Sequence, residues 1–385
     1  MRIVHICLSS VYTDNWNYQE NMLPKFHCRA GHDVSVIASE WALNRRGQTV
    51  RCKNRDYIDK HGIHIIRLRI KGKNDVTRKL KRYEHFYQAL SECRPDILFI
   101  HNLSFLDIRT IVLYLHRHKG VTVYADNHAD FSNSATNLLS KYLLHKGIWR
   151  YQAKKLAPYV KKFYGVLPAR VDFLSDIYGI PKEKCSLLVL GADDDEIQKA
   201  ASMQLGKEVR RRHGILPDDF LIVSGGKIDW WKKQTITLMK AVRKIRKNSI
   251  RLIVFGPVED KLKPYAEKLA DGKCVQYVQW VSAEDSYGYF AASDLAVFPG
   301  RHSVFWEQAA GQGVPMLVKS WEGTHHIDAG GNVKFLYEDT LAEMIHNIAM
   351  LAGNGEEYRK MKAAAQEKAV KKFSYKAIAK ASIEM

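Results

Sequence analysis

The sequence lacks the features that mark membrane-spanning and secreted proteins. No apolar run in its 385 residues approaches the ~18 residues that cross a bilayer. The first ten residues, MRIVHICLSS, carry one Arg and an apolar run interrupted by His5, which suits a first buried strand better than a signal peptide. With 46% hydrophobic and 26% charged residues, the chain is expected to be a soluble, cytoplasmic globular protein of two or three domains.

Cysteine is scarce, and several nucleotide-binding signatures are missing. The six cysteines contain no C-x-x-C pair, which argues against a disulfide framework or a zinc site and favours a reducing cytosol. G-x-G-x-x-G and G-x-x-x-x-G-K-[ST] are both absent, so a dinucleotide-dependent enzyme or a P-loop ATPase is disfavoured. No low-complexity segment, solenoid repeat, RRM, KH or helix-turn-helix signature is present.

Positive charge is abundant. The formal net charge is +19, and residues 45–82 alone hold fourteen Lys or Arg against three Asp. Such a surplus favours a polyanionic partner, which could be nucleic acid, an anionic membrane surface or a phosphorylated substrate. A solvated basic surface without a dedicated partner is the alternative.

Short apolar runs alternate with helical spans in both halves of the chain, which is typical of βαβ units with parallel sheets. The strands predicted in the first half are residues 2–9, 33–39, 63–70, 95–102 and 121–127. Those of the second half are residues 221–226, 250–256, 275–280, 295–300 and 315–320, with helical spans such as 237–248 and 285–294. The fold class predicted is α/β, with two doubly wound, Rossmann-like domains.

The join between the domains is expected near residues 187–195, where a strand ends in Gly-Ala-Asp. We therefore predict a first domain over 1–190, a second over 191–365, and a C-terminal helical segment over 366–385 that packs back on the first. Ligands of such sheets bind beyond the carboxyl ends of the strands, so a cleft between two facing domains is the expected site.

The segment SGGKIDWWKKQ, residues 224–234, directly follows a predicted strand. Its paired glycines let the backbone approach a ligand closely. Lys227 stands at the strand exit and Lys232 five residues later, so the loop offers the positive charge and N–H donors that a diphosphate needs. Gly226, Lys227 and Lys232 are candidate ligand-binding residues, and an ordinary strand-to-helix turn with solvated lysines is the alternative.

The segment FPGRHSVFWEQAAGQGVP, residues 298–315, contains a single acidic residue, Glu307. Ser303 is placed to cap the following helix, and Glu307 lies about one turn further on. A carboxylate can accept two hydrogen bonds from a vicinal diol such as ribose. Because the neighbouring residues are apolar and Glu is seldom buried unpaired, a paired or ligand-facing Glu307 is favoured over an exposed one.

Polar residues also follow two predicted strands of the first half. The stretch VTVYADNHADF, residues 121–131, brings Asp126, His128 and Asp130 to a strand end, but a lone histidine among acids is poor metal spacing and is usually structural. The loop after the first strand, residues 9–21, carries side chains suited to sugar or phosphate contacts, or is simply irregular.

The segment WRYQAKKLAPYVKKF, residues 149–163, places apolar residues at helical spacing and lysines elsewhere, with Pro158 able to end or kink the helix. It could lie on an anionic membrane, but a core-facing helix is the favoured interpretation.

Taken together, these segments resemble the retaining nucleotide-sugar glycosyltransferases of family 4, which have the GT-B architecture. The resemblance covers nearly the whole chain. It rests on the segments RAGHDVSVI (29–37), HN (101–102), DNHADF (126–131), LGADDD (190–195), GGKIDWWKK (225–233), SAEDSYGYFAASDLAVFP (282–299), WEQAAGQGVP (306–315) and FSYKAIA (373–379).

The resemblance implies a role for each matching position. Lys227 and Lys232 would grip the donor diphosphate, Glu307 would hold the nucleotide ribose, and His128 would contact the donor sugar near its reacting carbon, with Lys232 and His128 as the catalytic residues. Further substrate-binding residues would be Asp130 and Gly226, Trp280 and Val281 near the base, and Asn15, Trp16 and Asn17, which take the place of the family's Gly-Gly loop.

One departure from the family stands eight residues before Glu307, where Pro299 replaces the first Glu of the E-x7-E signature. The donor sugar's hydroxyls would then be held by Gly300, His302, Ser303 and Val304, through backbone groups and the His302 and Ser303 side chains.

The resemblance implies a metal-independent, cofactor-free transferase that moves a sugar from a nucleoside-diphosphate sugar, a UDP-sugar first of all, to an acceptor hydroxyl with retention of configuration. Polysaccharide or glycolipid assembly is the expected setting, with a glycan or lipid-linked acceptor and peripheral contact with the anionic inner face of the membrane. The alternatives are another GT-B enzyme, either an inverting transferase or a sugar epimerase, and a basic nucleic-acid-binding α/β protein. Binding of nucleic acid is not expected on the favoured interpretation.

Overall fold

The computed structural model describes residues 1–44, 48–72, 81–130, 134, 140–245 and 249–384. Phe131 of the DNHADF segment, residues 246–248 of a predicted helical span, and residues 45–47 and 73–80 of the basic stretch lie outside these ranges. The chain forms two compact units, one of Met1–Val189 with Ile378–Met385 and one of Leu190–Ala377. No helix in the described ranges is long and apolar enough to cross a membrane.

The first unit is built on an eight-stranded sheet with strand order β10-β9-β8-β7-β1-β2-β6-β5. Only the edge pair β5–β6 of this sheet is antiparallel, and β3 and β4 form a separate hairpin. The strands are β1 (Arg2–Cys7), β2 (Asp33–Ser39), β3 (Trp41–Leu43), β4 (Thr49–Arg51), β5 (Asp56–Ile58), β6 (His64–Leu68), β7 (Ile97–His101), β8 (Thr122–Asn127), β9 (Val160–Gly165) and β10 (Cys185–Leu187).

Helices of the first unit cover the sheet with apolar faces. Ile108, Ile111 and Leu115 recur along one face of a helix and are buried in the core. The helices are α1 (Gln19–Arg29), α2 (Phe86–Cys93), α3 (Ile108–Arg117), α4 (Arg150–Leu156) and α5 (Pro168–Asp176), with a π-helix at Ser140–Trp149 and a 3-10 turn at Lys182–Lys184.

The second unit has a six-stranded, fully parallel sheet with order β13-β12-β11-β14-β15-β16. Numbered from its own first strand, this is the 3-2-1-4-5-6 order of Rossmann domains, whose switch point lies between the first and fourth strands. The strands are β11 (Phe220–Gly225), β12 (Ile250–Phe255), β13 (Val275–Val278), β14 (Leu295–Phe298), β15 (Met316–Lys319) and β16 (Val333–Leu336).

Helices flank this sheet and continue into the C-terminal tail, where the helical run is interrupted at Phe373 and Ser374 as the sequence indicates. They are α6 (Asp194–Ser202), α7 (Leu205–Arg212), α8 (Gln234–Ile245), α9 (Lys263–Leu269), α10 (Asp285–Ala292), α11 (Phe305–Gly311), α12 (Leu341–Leu351), α13 (Glu356–Ala364), α14 (Val370–Lys372) and α15 (Tyr375–Ser382), with a π-helix at Ala365–Ala369 and 3-10 turns at Trp230–Lys232 and His325–Ile327.

The predicted α/β fold class, with two Rossmann-like domains, is confirmed. The segment 149–163 faces the core, as favoured, but it is not one helix: α4 ends at Leu156 and β9 begins at Val160. Pro158 lies between them, where its ring prevents helix continuation. Val160 and Phe163 are therefore buried as strand residues rather than on a helical face.

The C-terminal segment divides later than the predicted boundary at residue 366. Residues up to Ala377 belong to the second unit, because Phe373 is fully buried and Ala192 N donates to its carbonyl at 2.8 Å. The part that belongs to the first unit begins at Ile378, and Tyr124 Oη there donates to Glu384 O at 3.1 Å.

Candidate functional site

A pocket opens at the switch point of the second unit's sheet, where β11 and β14 end side by side. It is formed by the two loops that leave these strands. Rossmann sheets bind ligands at this position, beyond the carboxyl ends of the strands. The lining residues are Ser224, Gly225, Gly226, Lys227, Ile228, Lys232, Thr235, Val254, Phe298, Pro299, Gly300, Arg301 and Ser303.

Two predicted cations lie in this pocket but differ in environment. The Lys227 side chain is 65% exposed and stands 4.0 Å from Asp229. Burial lowers the pKa of Lys232, Asp229 opposes this effect, and Lys227 adds to it. In the described part of the chain, no carboxylate lies within ion-pairing distance of Lys232. A partly desolvated ammonium without a counterion is a suitable partner for a bound anion.

Glycine at position 300 allows the two loops to meet. A Cβ atom added there would lie 2.9 Å from Lys232 Cα and 3.1 Å from its Cβ, so any larger residue would push the lysine away. The Gly300 carbonyl accepts a hydrogen bond from Trp321 Nε1 at 3.2 Å, which fixes the loop. Gly226 adopts φ 120°, a conformation that favours glycine.

Arg301 is a third pocket cation that our sequence analysis missed. Its guanidinium carbon lies 3.7 Å from the centre of the Trp231 ring, so the indole holds the charge at the pocket wall by a cation–π contact. The available signal was its position directly after Gly300 at a strand exit. Thr235, buried at the start of α8, is a second lining residue that we did not predict.

Glu307 does not line this pocket. Its side chain is fully buried in α11, and its Oε1 accepts hydrogen bonds from His302 Nε2 at 2.7 Å and from His326 Nε2 at 2.8 Å. Among the described residues its Oε2 has no hydrogen-bond partner. Burial alone would raise the pKa of this carboxyl, but the two imidazoles outweigh burial and hold the pKa at about 2. The predicted ribose contact would have to use Oε2, and it stays a prediction.

Of the remaining predicted donor-site residues, some line the pocket and others do not. Ser303 lines it but does not cap α11, whose N-cap is Val304 without a side-chain hydrogen bond. Val304 itself is 36% exposed, and Trp280 is 69% exposed. The pocket is not lined by Val304, Trp280 or Val281.

In the first unit, Asp126 lies at the carboxyl end of β8 and is fully buried. Its Oδ2 accepts from His101 Nδ1 at 2.7 Å, and its Oδ1 accepts from the Asn102 backbone N–H at 2.9 Å. His128 Nε2 lies 3.2 Å from the same Oδ1, a contact of ion-pair distance that is less well aligned than the other two. Burial lowers the pKa of His128, but Asp126 outweighs that effect and the net shift is upward.

The other predicted residues of this unit differ in how they are held. Asp130 forms a largely buried ion pair with Arg170 at 2.9 Å. The loop after β1 carries Asn15 at φ 62°, and the Trp16 ring packs 5.2 Å from that of Tyr18. Asn17 Nδ2 is buried without a hydrogen-bond partner among the described residues. The predicted substrate contacts of these residues stay predictions.

Two groups of histidine and carboxylate side chains have the ligand types that a divalent metal accepts, and each brings three ligand atoms within 4.8 Å of one another. In the Asp126 group, His101 turns Nδ1 to Asp126 and Nε2 to His5, so neither nitrogen faces an ion. In the Glu307 group, both imidazoles bond one carboxylate oxygen directly. Because each group already directs histidine nitrogens at its own carboxylate, we assign no metal to either group.

Comparison with known proteins matches part of the chain to a family model and the whole chain to known folds. Residues 206–368, which include the pocket, match the family model of glycosyl transferases group 1. No curated protein matches the chain significantly.

Similar solved structures span the whole chain. WaaG, described as a glycosyltransferase involved in lipopolysaccharide biosynthesis, is 16% identical, with 99% of this chain and 100% of that chain covered and a TM-score of 0.67. Anabaena Alr3699/HepE, solved with UDP and glucose, is 14% identical, with coverage of 99% and 98% and a TM-score of 0.64. A Listeria monocytogenes protein described as a putative UDP-N-acetylglucosamine 2-epimerase is 13% identical, with coverage of 98% and 93% and a TM-score of 0.60. At these identities the likeness shows the fold alone.

Proposed function

We propose that the chain is a retaining glycosyltransferase that moves a sugar from a nucleoside-diphosphate sugar to an acceptor hydroxyl. The observation that carries the proposal is the pocket at the β11/β14 switch point, which lies in the segment matching glycosyl transferases group 1 and concentrates Lys227, Lys232 and Arg301. Three cations facing one small recess fit a diphosphate. UDP is the first nucleotide to test, because a structural neighbour was solved with UDP and glucose.

The pocket's chemistry addresses the difficult step of the reaction. The bond from the anomeric carbon to the diphosphate breaks as an oxocarbenium-like centre forms, so negative charge grows on the leaving group. A cation that is already partly desolvated, as Lys232 is, stabilises that charge without reorganising solvent. Because Lys227 and Arg301 add to this charge, the transfer is proposed to need no metal. His128 is proposed to contact the donor sugar, as the family resemblance implies.

The test combines binding with turnover. Thermal shift over UDP-, GDP- and ADP-sugars identifies the donor, since a ligand that binds only the folded state raises its melting temperature. With that donor, Lys232→Ala should lower kcat by about 10²–10³-fold. Lys240→Ala, on the exposed side of α8, is the matched control and should turn over normally. Near-normal turnover of Lys232→Ala at saturating donor would contradict the proposal.

Finer parts of the proposal have their own readouts. The anomeric configuration of the product separates retention from inversion, and an unmodified acceptor with an epimerised donor would indicate a sugar epimerase. Loss of activity with a chelator would contradict metal independence. Salt-sensitive binding to unrelated oligonucleotides, without turnover of any nucleotide sugar, would favour the nucleic-acid alternative.

A lipid-linked acceptor and peripheral membrane contact are also proposed. They are supported by the basic surplus of residues 45–82 and by exposed apolar residues beside lysines: Leu143 is 57% exposed, and Tyr151 is 60% exposed with Lys155 over its ring. The chain should then bind anionic liposomes at low salt and release them at high salt. Absence of binding at low salt would remove this part.

A further inference from the structure

A continuous row of hydrogen bonds crosses the interior of the first unit from Asp126 to its C-terminal helix. Asp126 Oδ2 bonds His101 Nδ1 at 2.7 Å, and His101 Nε2 bonds His5 Nδ1 at 3.0 Å. His5 Nε2 then bonds His27 Nδ1 at 3.0 Å, and His27 Nε2 lies 2.9 Å from the carbonyl oxygen of Ala379. We call Asp126, His101, His5 and His27 the histidine relay.

The relay is shielded from solvent along its whole length. His5 and Asp126 are fully buried, and His27 and His101 are only 1% and 5% exposed. The Phe99 ring packs against two of the imidazoles, 5.5 Å from His5 and 4.9 Å from His101. Buried polar groups must be satisfied by one another, so the proton positions follow from the partners within the row.

Counting hydrogen-bond donors shows that the three rings of the relay need one more proton than neutral imidazoles carry. Both ends of the row are acceptors, a carboxylate at Asp126 and a peptide carbonyl at Ala379. The four links between them therefore need four N–H groups, whereas three neutral imidazoles supply three. A fully bonded relay contains one imidazolium, which compensates the Asp126 carboxylate.

The imidazolium belongs at His101. Burial lowers the pKa of His5 well below its usual value and that of His27 to about 4, so these rings favour the neutral form. His101 contacts the carboxylate directly and can donate from both nitrogens, to Asp126 and to His5. The competing arrangement has three neutral rings, with Ser382 Oγ donating to His27 Nε2 at 3.1 Å in place of its 2.8 Å bond to Ala379 O.

We propose that Asp126, held by a protonated His101 and the rest of the histidine relay, is a positioning residue that fixes the ring orientation and tautomer of His128. The inference rests on the proposed function, in which His128 contacts the donor sugar. With Oδ2 engaged by His101, Oδ1 is turned to Asn102 N–H and to His128 Nε2. The carboxylate thereby favours a proton on Nε2 of His128, and Nδ1 is the acceptor nitrogen of its neutral ring.

Other titratable groups near the relay are few. The His32 ring lies 6.3 Å from that of His27 and disfavours its protonation. Glu20 favours the protonated form of His128, and Arg170 opposes it. Burial, together with the charges of Glu20 and Asp126, raises the pKa of the Cys7 thiol and keeps it neutral.

The first test reads the protons directly and needs no substrate. The full chain is labelled with ring-¹⁵N histidine, and nitrogen shifts are recorded at pH 7, with His101→Gln used to assign the His101 signals. We expect one relay ring, that of His101, to be protonated on both nitrogens while His5 and His27 are neutral. Three neutral relay rings in the wild-type spectrum would overturn the proton count whether or not the chain transfers a sugar.

The second test asks whether the relay controls His128. Asp126→Asn keeps the size of the side chain but removes its charge, so the pKa of His128 should fall by about one unit or more. The acid limb of the kcat profile should shift with it, while KM for the donor is unchanged. His145→Gln is the matched control, because this buried histidine of the same unit bonds Tyr178 Oη and lies outside the relay.

The two outcomes separate the inference from the proposed function. An unchanged His128 pKa in Asp126→Asn would overturn the positioning role, even in an active enzyme. A shifted pKa in a chain that transfers no sugar would support the relay's hold on His128 and count against the proposed function alone.

Discussion

Each unit buries one carboxylate between two histidines, and the two arrangements differ in how fully they are bonded. Asp126 uses both oxygens, one for His101 and the other for Asn102 and His128. Glu307 gives a single oxygen to both His302 and His326, while its Oε2 has no partner among the described residues. Asp126 therefore has partners on both oxygens, whereas Glu307 has one oxygen without a partner among the described residues.

The comparison shows that a buried carboxylate between two histidines can serve either to hold its neighbours or to bind a ligand. A buried carboxylate with hydrogen-bond partners on both oxygens can hold its neighbours in place but has less capacity for a new ligand. A buried carboxylate with an unused oxygen carries a desolvation cost that a ligand hydroxyl could relieve. We therefore expect Asp126 to affect stability most strongly and Glu307 to affect ligand affinity.

The largest expected effect comes from removing the Asp126 carboxylate. Asp126→Ala leaves a charged His101 without its counterion and should lower the free energy of unfolding by about 3–5 kcal/mol. Glu307→Ala removes the acceptor that His302 and His326 share and should cost about 1–3 kcal/mol. Denaturant unfolding measures both, and Asp172→Ala at an exposed position is the control, expected within about 0.5 kcal/mol of wild type. Equal stability of the Asp126→Ala and Asp172→Ala variants would contradict the prediction that the Asp126 carboxylate stabilises the fold.

Acid should weaken the two clusters in different pH windows. Burial holds the pKa of His27 at about 4, below its value of about 6.5 in an unfolded chain, so the unfolded state binds the extra proton. The free energy of unfolding should therefore decrease by about 3 kcal/mol as pH falls from 6.5 towards 4. The carboxyl of Glu307 has a depressed pKa of about 2, so its contribution is lost only below about pH 4.3.

Unfolding curves between pH 8 and pH 4 check this order. In His27→Gln the loss of stability between pH 6.5 and pH 4 should shrink, whereas in Glu307→Gln it should match that of wild type. The same pH slope in all three proteins would show that the His27 ring is not held neutral.

The smallest expected effect concerns Oε2 of Glu307. Glu307→Gln retains an oxygen for the two imidazoles but replaces Oε2 with an amide N–H₂. If Oε2 binds the ribose, affinity for UDP should fall about tenfold, or about 1.4 kcal/mol. Inorganic pyrophosphate, which lacks a ribose, should bind both proteins equally and serves as the control in calorimetry. Unchanged UDP affinity would place the ribose elsewhere.

Much of the fold follows from the sequence, because buried parallel strands are continuous apolar runs. Residues 33–39 form β2 as predicted, and the other predicted strands are recovered with shifted ends. Six strands were missed, namely β3, β4, β5, β9, β10 and β16. Of these, β5 is a three-residue antiparallel edge, and β9 follows a helix in a segment whose apolar residues also fit helical spacing. Only tertiary pairing with β8 makes that segment a strand.

The candidate site was partly predictable for a related reason. Lys227 and Lys232 follow a strand that ends in glycines, and their pocket is local to two loops. The partners of Glu307 and Asp126 were not predictable, because His326 is nineteen residues from Glu307 and His101 twenty-five from Asp126. His5 gave a signal, a polar residue inside an apolar strand, but nothing in the sequence pairs it with His27 or His101.

The first unit is completed by a segment that is synthesised after the whole second unit. Ala379, the carbonyl that terminates the histidine relay, follows the whole second unit in the chain. At about 5–20 residues per second, translation of Leu190–Ala377 delays that carbonyl by on the order of ten seconds or more. During this interval the nascent first unit lacks the carbonyl that His27 contacts, so its final packing depends on prior synthesis of the second unit.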